Sequence, residues 1–200
     1  MTKPEIPQIC LIFSINQTIE KLKIALKSGI KWIQYREKDL SRKEILKQAF
    51  YLRDLTNQYN ALLTINDYLD IAIAIEADGV HLGQDDLPIE VAKRFFSGII
   101  GISTHNLKEA VKAQESGADY LGFGPIFKTT TKKDAIEPRG IDMLSFIQKK
   151  VNLPVVAIGG INVDNIISIK KVGCNFVAVS SGILEGDVEK NVIRFIKILC

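Results

Sequence analysis

The sequence predicts an α/β fold, a closed (β/α)8 barrel of the TIM type, formed as one domain over residues 1–200. Three observations predict it. One junction recurs, in which a helix-like stretch ends at a glycine and a short apolar run follows. It stands at Ser28-Gly29-Ile30-Lys31-Trp32-Ile33, Ser116-Gly117-Ala118-Asp119-Tyr120-Leu121 and Val172-Gly173-Cys174-Asn175-Phe176-Val177, with Ala77-Asp78-Gly79-Val80 as a variant. Glycine terminates helices because it takes the left-handed conformation without a Cβ penalty. Several of the runs are apolar on consecutive positions, as in Val155-Val156-Ala157-Ile158, which suits parallel strands covered on both faces. Eight such runs divide 200 residues into units of about 25, short but sufficient for a strand and a helix. A doubly wound open sheet with fewer strands is the alternative.

In chain order the strands are expected at about 8–14, 32–37, 62–66, 79–82, 99–104, 120–124, 154–159 and 176–181. Helical spacing lies between them. Ile19, Leu22 and Leu26 share one face, as do Ile45, Ala49 and Leu52, and Val188, Val192 and Phe195. Ser41 with Glu44, and Asn106 with Glu109, have the spacing of helix starts.

Composition narrows the function. A formal net charge of +3 is too mild for a dedicated nucleic-acid binder. Hydrophobic residues at 46% and charged residues at 24% exclude wholesale disorder. Cys10, Cys174 and Cys200 are widely spaced, which supports neither a disulfide framework nor a zinc site and fits a reducing cytoplasm. The first seven residues do not read as a secretory signal, and no apolar run is long enough to span a membrane.

Barrel active sites gather at the C-terminal ends of the strands, so polar strand ends are the candidates. Gln34, Arg36 and Lys38 share one face of strand two and point into the barrel mouth. Two cations there need an anion, either a di- or polyphosphate or the internal carboxylates Glu37 and Asp39. Strand three ends in Asn66-Asp67, and strand four in Gly83-Gln84-Asp85-Asp86. Asp67 with Asp85 or Asp86 could hold Mg²⁺, which takes one or two carboxylates plus phosphate oxygens. Helix capping is the competing reading of these aspartates. Gly122 and Gly124 leave either an empty lumen for a flat ring or simple packing relief. The stretch from Lys128 to Gly140, with Thr129, Thr131 and Lys132, reads as a lid or as a solvated loop. Gly159-Gly160 and Ser180-Ser181-Gly182 occupy the barrel's usual phosphate position. His81 and His105 are taken as structural. The residues thus describe a barrel enzyme with two phosphate sites, which joins two phosphorylated small molecules or isomerises one.

Gln34-Tyr35-Arg36-Glu37-Lys38, Ile65-Asn66-Asp67, Ala77 to Asp86, Gly124-Pro125-Ile126-Phe127 with Thr129 to Lys132, and Ala157-Ile158-Gly159-Gly160-Ile161 occur in this order. In this the chain closely resembles the thiamine-phosphate synthase (thiamine-phosphate pyrophosphorylase) family, from about residue 8 onward. The resemblance implies a (β/α)8 barrel that couples a hydroxymethylpyrimidine diphosphate to a thiazole phosphate, possible carboxylation of the thiazole being left open, with release of pyrophosphate. It implies that Gln34, Arg36, Lys38, Asn66, Ser103 and Lys132 hold the pyrimidine diphosphate, with Arg36, Lys38 and Lys132 assisting catalysis. It implies Mg²⁺ on Asp67 and Asp86, and the thiazole phosphate on Thr129, Thr131, Gly160, Ser180 and Ser181. Two departures stand out: the family often has an aliphatic residue at the position of Ser180, and the extension before strand one is short, which leaves the barrel floor less covered.

The sister thiazole tautomerase uses a histidine where this chain has Pro125, which can act as neither acid nor base. Another phosphate-binding barrel isomerase would not need the paired aspartates. A non-catalytic barrel that binds thiamine precursors would not need the full polar set.

Overall fold

The computed structural model describes residues 3–129 and 137–200. Eight parallel strands close into a barrel in chain order: β1 (Ile9–Phe13), β2 (Trp32–Tyr35), β3 (Leu62–Asn66), β4 (Gly79–Leu82), β5 (Ile99–Thr104), β6 (Tyr120–Phe123), β7 (Val155–Ile158) and β8 (Phe176–Val179). The helices are α1 (Ile19–Lys27), α2 (Arg42–Gln58), α3 (Leu69–Ala74), α4 (Ile89–Ala92), α5 (Leu107–Glu115), α6 (Gly140–Gln148), α7 (Ile166–Lys171), α8 (Ser181–Leu184) and α9 (Val188–Leu199). The expected strands are all present, several of them shorter at the ends. β2 stops at Tyr35, although the Arg36 N–H still donates to the Phe13 carbonyl at 2.9 Å. Ser181 opens α8 rather than closing β8.

The junctions work as the sequence suggests. Gly29, Gly117 and Gly173 all have positive φ. At the variant junction Glu76 takes that conformation instead, with φ 51°. The aspartates at two junctions also tie strand to strand. Asp78 accepts from the Leu63 N–H at 2.7 Å and pairs with Arg53 at 2.6 Å. Asp119 accepts from the Ile100 N–H at 2.7 Å and pairs with Lys3 at 2.7 Å. Each carboxylate satisfies a backbone donor that the sheet leaves open near the barrel floor. Helix starts behave likewise. Ser41 and Glu44 form a reciprocal capping box on α2, and the Asn106 side chain accepts from the Glu109 N–H at the start of α5.

The main core lies between strands and helices, where Ile33, Tyr35, Leu121 and Phe123 meet buried helix residues such as Leu22, Leu52 and Leu144. A smaller cluster fills the lumen: Cys10, Trp32, Ile99, Tyr120, Val156 and Ala178. Trp32 donates to Thr64 Oγ1 at 2.9 Å and meets Tyr120 edge to face, with ring centroids 5.1 Å apart. The floor is covered despite the short extension. Ile6 packs against the lumen cluster, Lys3 reaches Asp119, and the Val177 N–H donates to the Gln8 carbonyl. Among the described residues no helix is long and apolar enough to cross a membrane.

Candidate active site

The strand ends opposite this floor carry the polar residues. At β2 the alternation holds: Ile33 and Tyr35 face the helices, and Tyr35 Oη donates to Gln48 on α2. Gln34 faces the lumen, is buried, and lies near enough to the Tyr120 hydroxyl to oppose the rise that burial causes there. Arg36 and Lys38 follow in the β2–α2 loop. The internal salt bridge weighed for them is absent among the described residues. Glu37 is instead buried and turned to the β1–α1 loop, where it accepts from Ser14 Oγ at 2.8 Å and from the Ile15 N–H at 2.5 Å. Among the described residues neither cation closes an ion pair, and the carboxyl they act on is that of Asp67.

β3 and β4 bring two carboxyl groups together. Asp67 follows Asn66, which is buried, and takes a left-handed backbone with φ 66°. Such conformations in residues other than glycine concentrate at functional sites. The Asp67 carboxyl is pushed up to about 6, first by burial, then by its hydrogen bond to Asp86 and by the Asp86 charge; Lys38 and Arg36 oppose the rise. Asp86 accepts from the Gly83 N–H at 2.7 Å, which turns it inward, whereas Asp85 is exposed. Neither aspartate caps a helix: the residues preceding α3 and α4 are Tyr68 and Pro88, with no side-chain cap. An open cleft of about 440 Å³ runs from Asp67 along Tyr68, Ile73, Leu87 and Phe95.

Deeper in the mouth, His81 sits between Ser103 Oγ and the Tyr120 hydroxyl, 2.9 Å from each. Burial holds the Tyr120 hydroxyl protonated, well above its ordinary range. His81 also fills the space that Gly122 leaves, since a Cβ there would lie 2.9 Å from His81 Cε1. The flat gap expected at Gly122 is thus packing relief for His81. His105 lies 2.7 Å from the Gly124 carbonyl through Nδ1. Both histidines are held structurally.

On the far side, the ends of the β6–α6 connection are pinned to one place. The Phe127 N–H donates to the Gly159 carbonyl, and the Arg139 and Gly140 N–H groups donate to the carbonyls of Pro125 and Ile126. Thr131 and Lys132 lie outside the described residues; Thr129 is half-buried. Gly160 has φ 65°, and a Cβ there would lie 2.4 Å from the Lys128 carbonyl oxygen, so the β6 and β7 loops touch. Ser180 precedes α8 and Ser181 begins it. The β1–α1 loop is the element that sequence reasoning missed. Gln17 donates to Ser180 Oγ at 2.9 Å and accepts from the Ser14 N–H at 2.9 Å. No local spacing announces contacts so distant in the chain.

The family profile described as thiamine monophosphate synthase matches residues 9–183. The chain belongs to that family. It is 46% identical over 167 residues to the thiamine-phosphate synthase of Chloroflexus aurantiacus, covering 83% of this chain and 77% of the relative. It is 47% identical over 180 residues to that of Archaeoglobus fulgidus, covering 90% and 85%. The solved thiamine phosphate pyrophosphorylase from Pyrococcus furiosus superposes with a TM-score of 0.87 at 39% identity, covering 96% of this chain and 95% of that one. A 3-hexulose-6-phosphate synthase at 16% identity and a TM-score of 0.72 shares the barrel alone.

Proposed function

We propose that this thiamine monophosphate synthase family member couples 4-amino-2-methyl-5-hydroxymethylpyrimidine diphosphate to 4-methyl-5-(2-hydroxyethyl)thiazole phosphate, or its carboxylated form, and releases pyrophosphate. The observation that carries the reading is the Asp67–Asp86 carboxyl pair with the cations Arg36 and Lys38 beside it. The pair suits Mg²⁺. Its donors are hard oxygens, their mutual repulsion calls for a cation, and no third acidic, histidine or cysteine residue joins them among the described residues. That leaves coordination positions for diphosphate oxygens and water. When bound, Mg²⁺ would supply positive charge that stabilises the departing pyrophosphate.

The chain's own residues do the rest. Arg36 and Lys38, with Lys132 as the family resemblance implies, neutralise charge that builds up on pyrophosphate as the pyrimidine methylene–oxygen bond breaks. Gln34, Asn66 and Ser103 orient the pyrimidine substrate. Thr129, Thr131, Gly160, Ser180 and Ser181 hold the thiazole phosphate, so that the thiazole nitrogen faces the methylene carbon it joins. No protein nucleophile is required: burial pushes the thiols of Cys10 and Cys174 up, and both histidines are hydrogen-bonded. Pro125 leaves the tautomerase without its acid–base group. The test is an endpoint assay with both substrates and Mg²⁺, with and without EDTA, in which thiamine phosphate is read as fluorescent thiochrome. Mg²⁺-dependent product is expected. Substrate binding without product would move the reading to a precursor-binding barrel.

A further inference from the structure

A chain of hydrogen bonds crosses the barrel mouth over three neighbouring strands, β2, β1 and β8. It starts at Glu37, which is buried and immobilises the β1–α1 loop through Ser14 Oγ and the Ile15 N–H. The Ser14 N–H then donates to Gln17 Oε1, and Gln17 Nε2 donates to Ser180 Oγ. The orientation of the Gln17 amide is fixed by this arrangement. Its oxygen must face the Ser14 N–H, which can only donate, so its NH₂ must face Ser180. Ser180 Oγ is therefore an acceptor toward Gln17. Its own hydrogen has no acceptor among the described residues.

We propose that Gln17 is a positioning residue that makes Ser180 a hydrogen-bond donor to the phosphate of the thiazole substrate. The proposal rests on the function given above for the location of that phosphate. A hydroxyl whose oxygen already accepts presents its hydrogen outward, and a hydrogen bond to a phosphate oxygen is charge-assisted. Glu37, one residue after Arg36, anchors the same loop, so the loop reaches from the pyrimidine diphosphate side to the thiazole side.

The test compares Gln17→Leu, Gln17→Glu, Ser180→Ala and the Gln17→Leu/Ser180→Ala double variant, all first checked for parental melting behaviour. Two readouts are taken: steady-state kinetics, and calorimetric affinity for thiazole phosphate, which needs no turnover. Gln17→Leu is expected to raise the thiazole phosphate KM and Kd about tenfold, with kcat and the pyrimidine diphosphate KM within about twofold. Gln17→Glu should be worse, because its carboxylate takes the Ser180 hydrogen and repels the phosphate. The double variant should lose no more than Ser180→Ala alone, since Gln17 acts only through the Ser180 hydroxyl. Unchanged thiazole phosphate affinity, equal rises in both KM values, or additive losses would overturn the proposal while leaving the synthase reading intact. A parent that forms no product, yet loses thiazole phosphate affinity on Gln17→Leu, would overturn the synthase reading and keep the proposal. A parent that neither turns over nor binds thiazole phosphate would overturn both.

Discussion

Replacing Asp86 by Asn should make the metal-free protein more stable while it abolishes Mg²⁺-dependent turnover. Asp67 rises from 3.8 to about 6, which corresponds to roughly 3 kcal/mol between its two protonation states. Burial is the largest cause, and the Asp86 hydrogen bond and charge supply the remainder. Removing the Asp86 charge should therefore return about 1 kcal/mol at most after solvent screening of the partly exposed Asp67 carboxyl, because the Asn carbonyl can still accept from the Gly83 N–H. The sign follows from linkage. A carboxyl raised in the folded state contributes its stability below its ordinary 3.8, and that contribution is lost as pH rises through about 6. At about pH 7.5 the parent carries the repulsion in full, and at about pH 5 Asp67 is mostly protonated and carries little of it. For a chain of this size, Tm in EDTA should rise by about 2–4 °C at the higher pH and hardly at the lower one. Added Mg²⁺ should raise the parent's Tm and leave the variant's nearly unchanged. A variant that melts below the parent at about pH 7.5 in EDTA, or gains as much from Mg²⁺, would refute the reasoning.

Lys132→Ala should cut turnover far more than it weakens thiazole phosphate binding, as single-turnover rates and calorimetry would show; equal losses would contradict its placement on the pyrophosphate. Asp78→Ala should cost about 2 kcal/mol, because it strands the Leu63 N–H and leaves Arg53 without its carboxylate. A urea titration whose midpoint does not move would show that water replaces both partners.

The barrel was legible because consecutive apolar runs and glycine-ended helices are local signals. So were the Ser41–Glu44 and Asn106–Glu109 starts. Asp67 and Asp86 could be placed together once strands three and four were neighbours, but the choice between metal ligand and helix cap needed the caps of α3 and α4 themselves. At Gly122 a vacant lumen and packing relief both stayed open because one strand was read in isolation, and the structure selects packing relief. His81 on β4 reaches across β5 to fill that space, and the register His81↔Gly101↔Tyr120 that places it is a property of the closed sheet. The Glu37–Ser14–Gln17–Ser180 chain was invisible for the same reason, since Gln17 and Ser180 stand on β1 and β8 loops that meet only when the barrel closes.

The pinned ends of the β6–α6 connection give it the character of an exchangeable cassette. Phe127 and Arg139 are both tied at the mouth of β6 by backbone hydrogen bonds that use no side chain of the connection. Its end-to-end span is therefore set by the barrel, whatever residues run between. Adding or removing a few residues changes closure entropy only slightly. Segments grafted from relatives should dock onto the same two anchors and leave Asp67, Asp86, Arg36 and Lys38 across the mouth untouched, provided they keep a lysine at the position of Lys132.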